Sequence, residues 1–241
     1  DNSPPERIGS TTMPCSAACI EVVLLARTLQ AAAQGKAHSQ GLLDKAVKRG
    51  RRSAAQRDAQ LARIEATADA AALQGCELVI EAVFEDRAVK AAVTAQAEAQ
   101  LAPDAVFASN TSTLPITGLA EASARPQQFI GLHFFSPVDK MPLVEIIVGE
   151  RTSAETLARG FDFVLQIGKT PIVVNDARGF YTSRVFATYV MEGLALLAEG
   201  VPPRAIEAAG LQAGMPMPPL ALQDELSLSL GVHVADQTRK D

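Results

Sequence analysis

Two residues in this chain have the type and spacing to move a proton. His133 lies in the run Phe129-Ile130-Gly131-Leu132-His133-Phe134-Phe135, and Glu145, twelve positions on, lies in Leu143-Val144-Glu145-Ile146-Ile147-Val148. Both runs are short and apolar, as buried strands should be. A lone histidine among apolar neighbours is more often a hydrogen-bonded core residue than a catalyst, but a carboxylate at an apolar strand position changes that balance. Such a carboxylate needs a partner to offset its desolvation, and an imidazole on an adjacent strand would be one. The pair would raise the basicity of the ring, hold one tautomer, and let the other ring nitrogen take a proton from a substrate. A His–Glu pair that only holds the fold would use the same residues, so residue type leaves both readings open. A second polar cluster, Ser109-Asn110-Thr111-Ser112-Thr113, follows the short strand Ala105–Ser109. Ligands of open α/β folds bind outside the carboxyl edge of the sheet, where this segment belongs. A turn capping the next helix is the equal alternative.

These residues need strands and helices to position them, and the hydrophobic pattern supplies both. Strands are expected at Ile20–Leu25, Leu78–Val83, Ala105–Ser109, Phe129–Phe135, Leu143–Val148 and Pro171–Val174. Between the first two, Thr28 to about Ile64 reads as a long helical stretch with Leu42, Leu43, Ala46 and Val47 on one face. Its basic cluster, Lys45, Lys48, Arg49, Arg51 and Arg52, is either a solvated helix end or a contact for an anionic ligand. In the Asp86–Leu101 helix, Val89, Val93, Ala97 and Leu101 form the expected inner face. Thr152 and Glu155 have capping-box spacing for a helix carrying Leu157, Phe161, Val164 and Leu165, closed by Gly168. Alternating strands and helices indicate a mostly parallel sheet with helices on both faces. From Gly179 the pattern turns helical: Phe180–Glu199, then a helix restarted at Pro202-Pro203 and stopping near Gly210. The expected division is an atypical arm over residues 1–19, an α/β domain over 20–177 and a helical domain over 178–241.

Composition narrows the function classes. The 241 residues are 48% hydrophobic, enough for a sizeable core, and 22 basic against 27 acidic side chains give a net charge of −5. That balance lacks the basic footprint of a nucleic-acid partner. No apolar run is long enough to span a membrane, and the first residues lack the features of a signal peptide. Three cysteines, Cys15, Cys19 and Cys76, argue against a disulfide framework and fit a cytoplasmic location. The four-residue Cys15–Cys19 spacing has no further ligand to complete a metal set, so no metal is expected. His38 and His233 are expected at the surface, and Cys76 in the core or a turn.

Five segments together resemble the 3-hydroxyacyl-CoA dehydrogenases of fatty-acid β-oxidation: Val79–Glu85, Ala108–Ser112, Gly131–Pro137, Pro142–Ile146 and Asp176–Phe180. The likeness runs from about Ile20 to the end and is strongest to the dehydrogenase part of bacterial multifunctional β-oxidation proteins. It implies a Rossmann-like NAD-binding domain followed by a helical domain through which a homodimer forms. It further implies that (3S)-hydroxyacyl-CoA is oxidised to 3-oxoacyl-CoA, with His133 as base, Glu145 as its orienting acid and Ser112 as a substrate contact. Glu85, Lys90, Asn110, Ser112 and Ser136 fall at or beside the family's cofactor positions.

Departures from the family pattern accompany the likeness. Ser183 stands where many members carry an asparagine, and its shorter hydroxyl would have to reach the substrate. Pro218 replaces a glycine, which should alter that turn. The chain ends at Asp241, before the family's helical domain would finish. No G-x-G-x-x-G occurs in the first 40 residues; residues 1–19 stand in place of the family's first strand and glycine loop. Ala26 stands where a ribose-binding acid is expected. The expectation is therefore a 3-hydroxyacyl-CoA dehydrogenase, altered in activity, that retains the substrate half of its site and holds NAD weakly. A non-catalytic acyl-CoA-binding or oligomer-forming remnant is the alternative, and a dehydrogenase of small free hydroxy acids a third reading.

Overall fold

Short apolar runs fold as strands and the segments between them as helices, in a computed structural model that describes residues 12–225. The chain divides into two units, Asp1–Ala177 and Arg178–Asp241. The first unit begins with helix α1 (Thr12–Ala17), strand β1 (Val22–Leu25), helices α2 (Leu29–Lys48) and α3 (Ala54–Ala62), and strand β2 (Ile64–Thr67). Where one helical stretch is expected up to Ile64, the structure has two helices and a strand. Gly50, at φ +67°, ends the first, and a Ser53–Gln56 capping box starts the second. β2 pairs with β1 in parallel, Val22 opposite Ile64 and Leu25 opposite Thr67. Leu43 is buried as its helical face requires, while Lys45, Lys48, Arg49, Arg51 and Arg52 are exposed, and Arg52 donates to Gln60 at 2.9 Å.

The second sheet carries β3 (Leu78–Glu81), β4 (Val106–Ser109), β5 (Phe129–Phe134), β6 (Leu143–Val148) and β7 (Thr170–Asn175) in that spatial order. Helices α4 (Arg87–Glu98), α5 (Ile116–Ala120) and α6 (Ala154–Gln166) connect them. All pairs are parallel except β5–β6. Residues 135–142 are too few for a crossover of a dozen or more residues, so the chain can only turn back on itself there. One sheet face buries Val106, Ala108, Ile130, Leu132, Val144 and Ile146 against Val164 of α6. On the opposite face Gly131 is required by close approach. A Cβ there would lie 2.8 Å from both Ile116 of α5 and Ile147 of β6.

Among the described residues, β1 pairs only with β2, and β3 only with β4. The segment expected as an atypical arm is, among its described residues, in part a helix. α1 buries Cys15 in the apolar cluster, and Gln60 donates to Ser16 Oγ at 3.0 Å. Burial pushes the Cys15 thiol up to about 12. Residues 1–11 of that arm lie outside the described residues, as does His233. His38 is exposed on α2, Cys76 is half-buried in a turn, and no group of side chains among the described residues could hold a metal ion.

Two further expectations shift in position. The cap of α6 is Ser153, whose hydroxyl accepts from Thr156 N–H; Thr152 instead donates to the Phe129 carbonyl at 2.7 Å. The inner face of α4 is Lys90, Thr94 and Ala97, with Val89 turned out at 42% exposure. The stripe is rotated because the Lys90 ammonium is drawn to acidic partners described below.

The second unit comprises α7 (Thr182–Ala198), α8 (Pro203–Gln212) and α9 (Pro219–Glu225). α7 closes at Gly200, φ +90°, and α8 runs two residues past the expected stop. Pro218 and Pro219 open α9, where a missing N–H leaves no helical bond unmade. Glu207 accepts from the Leu220 N–H at 2.9 Å at that helix start. No helix of the described residues is long and apolar enough to cross a membrane.

Candidate active site

The hairpin formed by β5 and β6 puts His133 directly opposite Glu145. Directly opposed residues of an antiparallel pair share one face of the sheet and lie close enough to bond. His133 Nδ1 is 2.7 Å from Glu145 Oε2, with His133 at 5% and Glu145 at 0% exposure. Phe135 packs against the imidazole, ring centroids 4.6 Å apart. With Glu145 ionised, Nδ1 carries the proton it donates and Nε2 carries the lone pair. The pair can thus both fix the tautomer and accept a proton.

Asn110 ties the end of β4 to this strand. Its Oδ1 accepts from the Phe134 N–H at 2.8 Å, one residue beyond His133, and its own N–H donates to the Glu81 carbonyl. Beside it lies a buried polar network. Lys90, 2% exposed, donates to both carboxylate oxygens of Glu81 at 2.9 and 3.1 Å and sits 3.3 Å from Glu85 Oε2. Ser109 donates to Glu81 as well. Glu85 Oε1 accepts from the hydroxyls of Thr111 and Thr113 and from the N–H groups of Ser112 and Thr113, both at 3.1 Å. Burial works to raise the Glu85 carboxyl, but the Lys90 ammonium and these hydrogen bonds outweigh it and hold it below its ordinary value.

The network gathers four of the sequence-derived candidates, Glu85, Lys90, Asn110 and Ser112, and Asn110 bonds the backbone one residue beyond His133. Lys90 meets Glu81 and Glu85 rather than solvent, so it braces Glu85, and Glu85 in turn shapes the 111–113 turn that presents the exposed Ser112. Ser136 is exposed in the loop after β5, before a cis peptide bond to Pro137. Ser183 lies in the first turn of α7, in the second unit. The segment after β4 is not a side-chain cap of α5. That helix start is held instead by Asp176, whose two oxygens accept from the Ile116 and Thr117 N–H groups at 2.8 and 2.7 Å. Sequence reasoning missed Asp176, and it missed Glu81 as a site residue. Glu81 carries the signal that singled out Glu145, an acid in an apolar strand, and the same desolvation argument finds it.

The sequence model for the 3-hydroxyacyl-CoA dehydrogenase NAD binding domain matches residues 8–177, and that for the C-terminal domain of the same enzymes matches residues 179–241. The chain belongs to the 3-hydroxyacyl-CoA dehydrogenase family. It is 43% identical over 205 residues to the fatty acid oxidation complex subunit alpha of Shewanella halifaxensis, covering 85% of this chain and 29% of that protein. The subunit from Shewanella amazonensis is 42% identical, over 83% and 28% of the two chains. This chain therefore spans less than a third of these curated relatives. Among solved structures, (S)-3-hydroxybutyryl-CoA dehydrogenase PaaH1 from Ralstonia eutropha superposes with a TM-score of 0.92 at 32% identity, over 96% of this chain and 83% of that one. FadB2 of M. tuberculosis gives 0.90 at 31% identity, over 95% and 81%.

The family's dinucleotide fits one end of this site and departs at the other. The carboxyl ends of β3 and β4 bring Glu85, Asn110 and Ser112 together where a ligand of a parallel sheet belongs. At the end of β1, Ala26 has no side-chain carboxylate to accept from a ribose hydroxyl.

Proposed function

We propose that this chain oxidises (3S)-hydroxyacyl-CoA to 3-oxoacyl-CoA in fatty-acid β-oxidation, with a nicotinamide dinucleotide as oxidant. The observation that carries this reading is the buried His133–Glu145 pair, its bond 2.7 Å long, on the opposed interior strands β5 and β6. His133 takes the proton of the substrate C3 hydroxyl on Nε2, and Glu145 stabilises the imidazolium that forms. When bound, the nicotinamide accepts the hydride from C3. Ser112, held through its backbone by Glu85, contacts the substrate, and Ser183 contributes a second hydroxyl in place of the asparagine of many relatives. Glu85, Asn110 and Ser136 line the cofactor side, with Lys90 as the brace of Glu85. An acyl-CoA, rather than a free hydroxy acid, is supported by the likeness to (S)-3-hydroxybutyryl-CoA dehydrogenase PaaH1.

A homodimer through the helical domain is supported by the exposed apolar side chains of α7 and its approach, Tyr181, Val185, Met191 and Leu197. A cytoplasmic setting is supported by three unpaired cysteines. Ala26 and the separate pairing of β1–β2 and β3–β7 favour a second reading, a non-catalytic acyl-CoA-binding member. The two differ in one assay, reduction of the dinucleotide by (3S)-hydroxybutyryl-CoA with His133→Gln as the blank. Turnover that vanishes in the blank supports the dehydrogenase; substrate binding without turnover in the unsubstituted chain refutes it.

A further inference from the structure

The loop that follows His133 is gripped from outside by one side chain. α6 closes at Gly168, φ +72°, and the Lys169 N–H donates to the Val164 carbonyl at 3.1 Å. The next N–H, of Thr170, donates to the Pro142 carbonyl at 2.8 Å as β7 begins. With its backbone fixed on both sides, Lys169 reaches back to the loop between β5 and β6. Its ammonium donates to the Val138 carbonyl at 2.7 Å and to the Met141 carbonyl at 2.6 Å. An ammonium carries three donors and no acceptor, so two carbonyls three residues apart suit it.

The rest of the loop explains why that grip matters. The Lys140 and Met141 N–H groups both turn back onto the Pro137 carbonyl at 3.0 Å, and Val138 is buried in the apolar cluster. At the other end, Asn110 Oδ1 accepts from the Phe134 N–H at 2.8 Å. Between these two clamps lie Phe135, its ring 4.6 Å from the His133 imidazole between centroids, and the exposed Ser136. Neither belongs to a strand, since β5 ends at Phe134 and β6 begins at Leu143. His133 and Glu145, by contrast, are held opposite one another by the strand ladder itself.

We propose that Lys169 is a positioning residue of the active site: by clamping the Val138 and Met141 carbonyls it holds Phe135 against the imidazole and Ser136 toward the dinucleotide. This rests on the dehydrogenase reading above, in which Ser136 lines the cofactor side. A ligand contact carried on a loop keeps its productive geometry only where neighbouring groups lock the loop, and Lys169 is such a group.

The test compares Lys169→Met, Ser136→Ala and the double variant with the unsubstituted full chain, with circular dichroism as a check of folding and Lys169→Gln as a second route to the same loss. Hydrogen exchange read by mass spectrometry and steady-state kinetics with NAD and (3S)-hydroxybutyryl-CoA are measured on each. The inference predicts exchange about tenfold faster in peptides covering residues 135–142 of Lys169→Met, as the loss of a bond from a charged donor warrants, with peptides of β4 and β5 unmoved. KM for NAD rises about tenfold while kcat falls about threefold or less, because the strands still hold the His133–Glu145 bond. Adding Ser136→Ala to Lys169→Met raises KM by about twofold at most, since both act through one contact. Exchange that quickens equally in β4 and β5 marks a general loss of stability and overturns the inference. So does a KM that stays within about threefold, or two effects that multiply in the double variant. Those outcomes leave the dehydrogenase reading standing, whereas no turnover by the unsubstituted chain overturns both.

Discussion

Replacing Lys90 by methionine isolates the electrostatic centre of the site. The substitution keeps most of the side-chain volume and removes the ammonium that Glu81 and Glu85 share, at 2.9 and 3.3 Å. Breaking a buried ion pair from one side costs about 3–5 kcal/mol, because the remaining charge is left uncompensated. Glu81 keeps its bonds from Ser109 and from the Val83 N–H at 3.1 Å, and Glu85 keeps four donors, so the lower end of that range is expected. For a unit of this size about 3 kcal/mol lowers Tm by roughly 6–12 °C. Urea unfolding at neutral pH, followed by circular dichroism, measures the loss. The difference should shrink as acid neutralises the Glu85 carboxylate. In the double variant Glu81→Gln/Lys90→Met, part of the stability should return, since one unpaired charge has gone. Val89→Ala, one position away on the exposed face, should change stability by about 0.5 kcal/mol or less. A loss below about 1 kcal/mol for Lys90→Met, or no recovery in the double variant, would refute the view that Lys90 neutralises this pair.

Glu85 makes stability depend on acid. Its carboxyl is depressed in the folded chain, so its contribution is fully present above the ordinary value of 4.5 and is lost as pH falls through the lower folded value. Urea midpoints against pH should show this acid limb flattened in Glu85→Gln. Gly131→Ala forces a Cβ to 2.8 Å from Ile116 and Ile147 and should cost about 1–3 kcal/mol in thermal melts. Cys15, buried and with its thiol pushed up to about 12, should resist iodoacetamide at about pH 8 until the chain unfolds, whereas the exposed Cys19 reacts in the folded state.

The His133–Glu145 pair is legible in the sequence because two constraints act together. The link between their strands is too short for a crossover, and an acid in an apolar strand demands a partner. β2 is not legible, because Ile64-Glu65-Ala66-Thr67 has one buried residue and no apolar run to set it apart from the helix before it. The inner face of α4 is misread for the opposite reason. Valine outranks lysine on any hydrophobic pattern, but the Glu81 and Glu85 carboxylates bury Lys90 and rotate Val89 to solvent. Thr152 and Ser153 are both competent caps, and the choice falls to Ser153 because Thr152 is engaged by the Phe129 carbonyl across the sheet. Local pattern fails wherever a long-range polar contact decides.

Whether His133 is the base and Glu145 its orienting partner is decided by steady-state oxidation of (3S)-hydroxybutyryl-CoA by His133→Gln and Glu145→Gln. A positioned general base contributes about 10²–10⁴-fold. His133→Gln should lose kcat by that factor with KM little changed, and Glu145→Gln should lose less, since an amide oxygen can still accept from Nδ1 but carries no charge. A His133→Gln variant within tenfold of the unsubstituted chain would contradict the account.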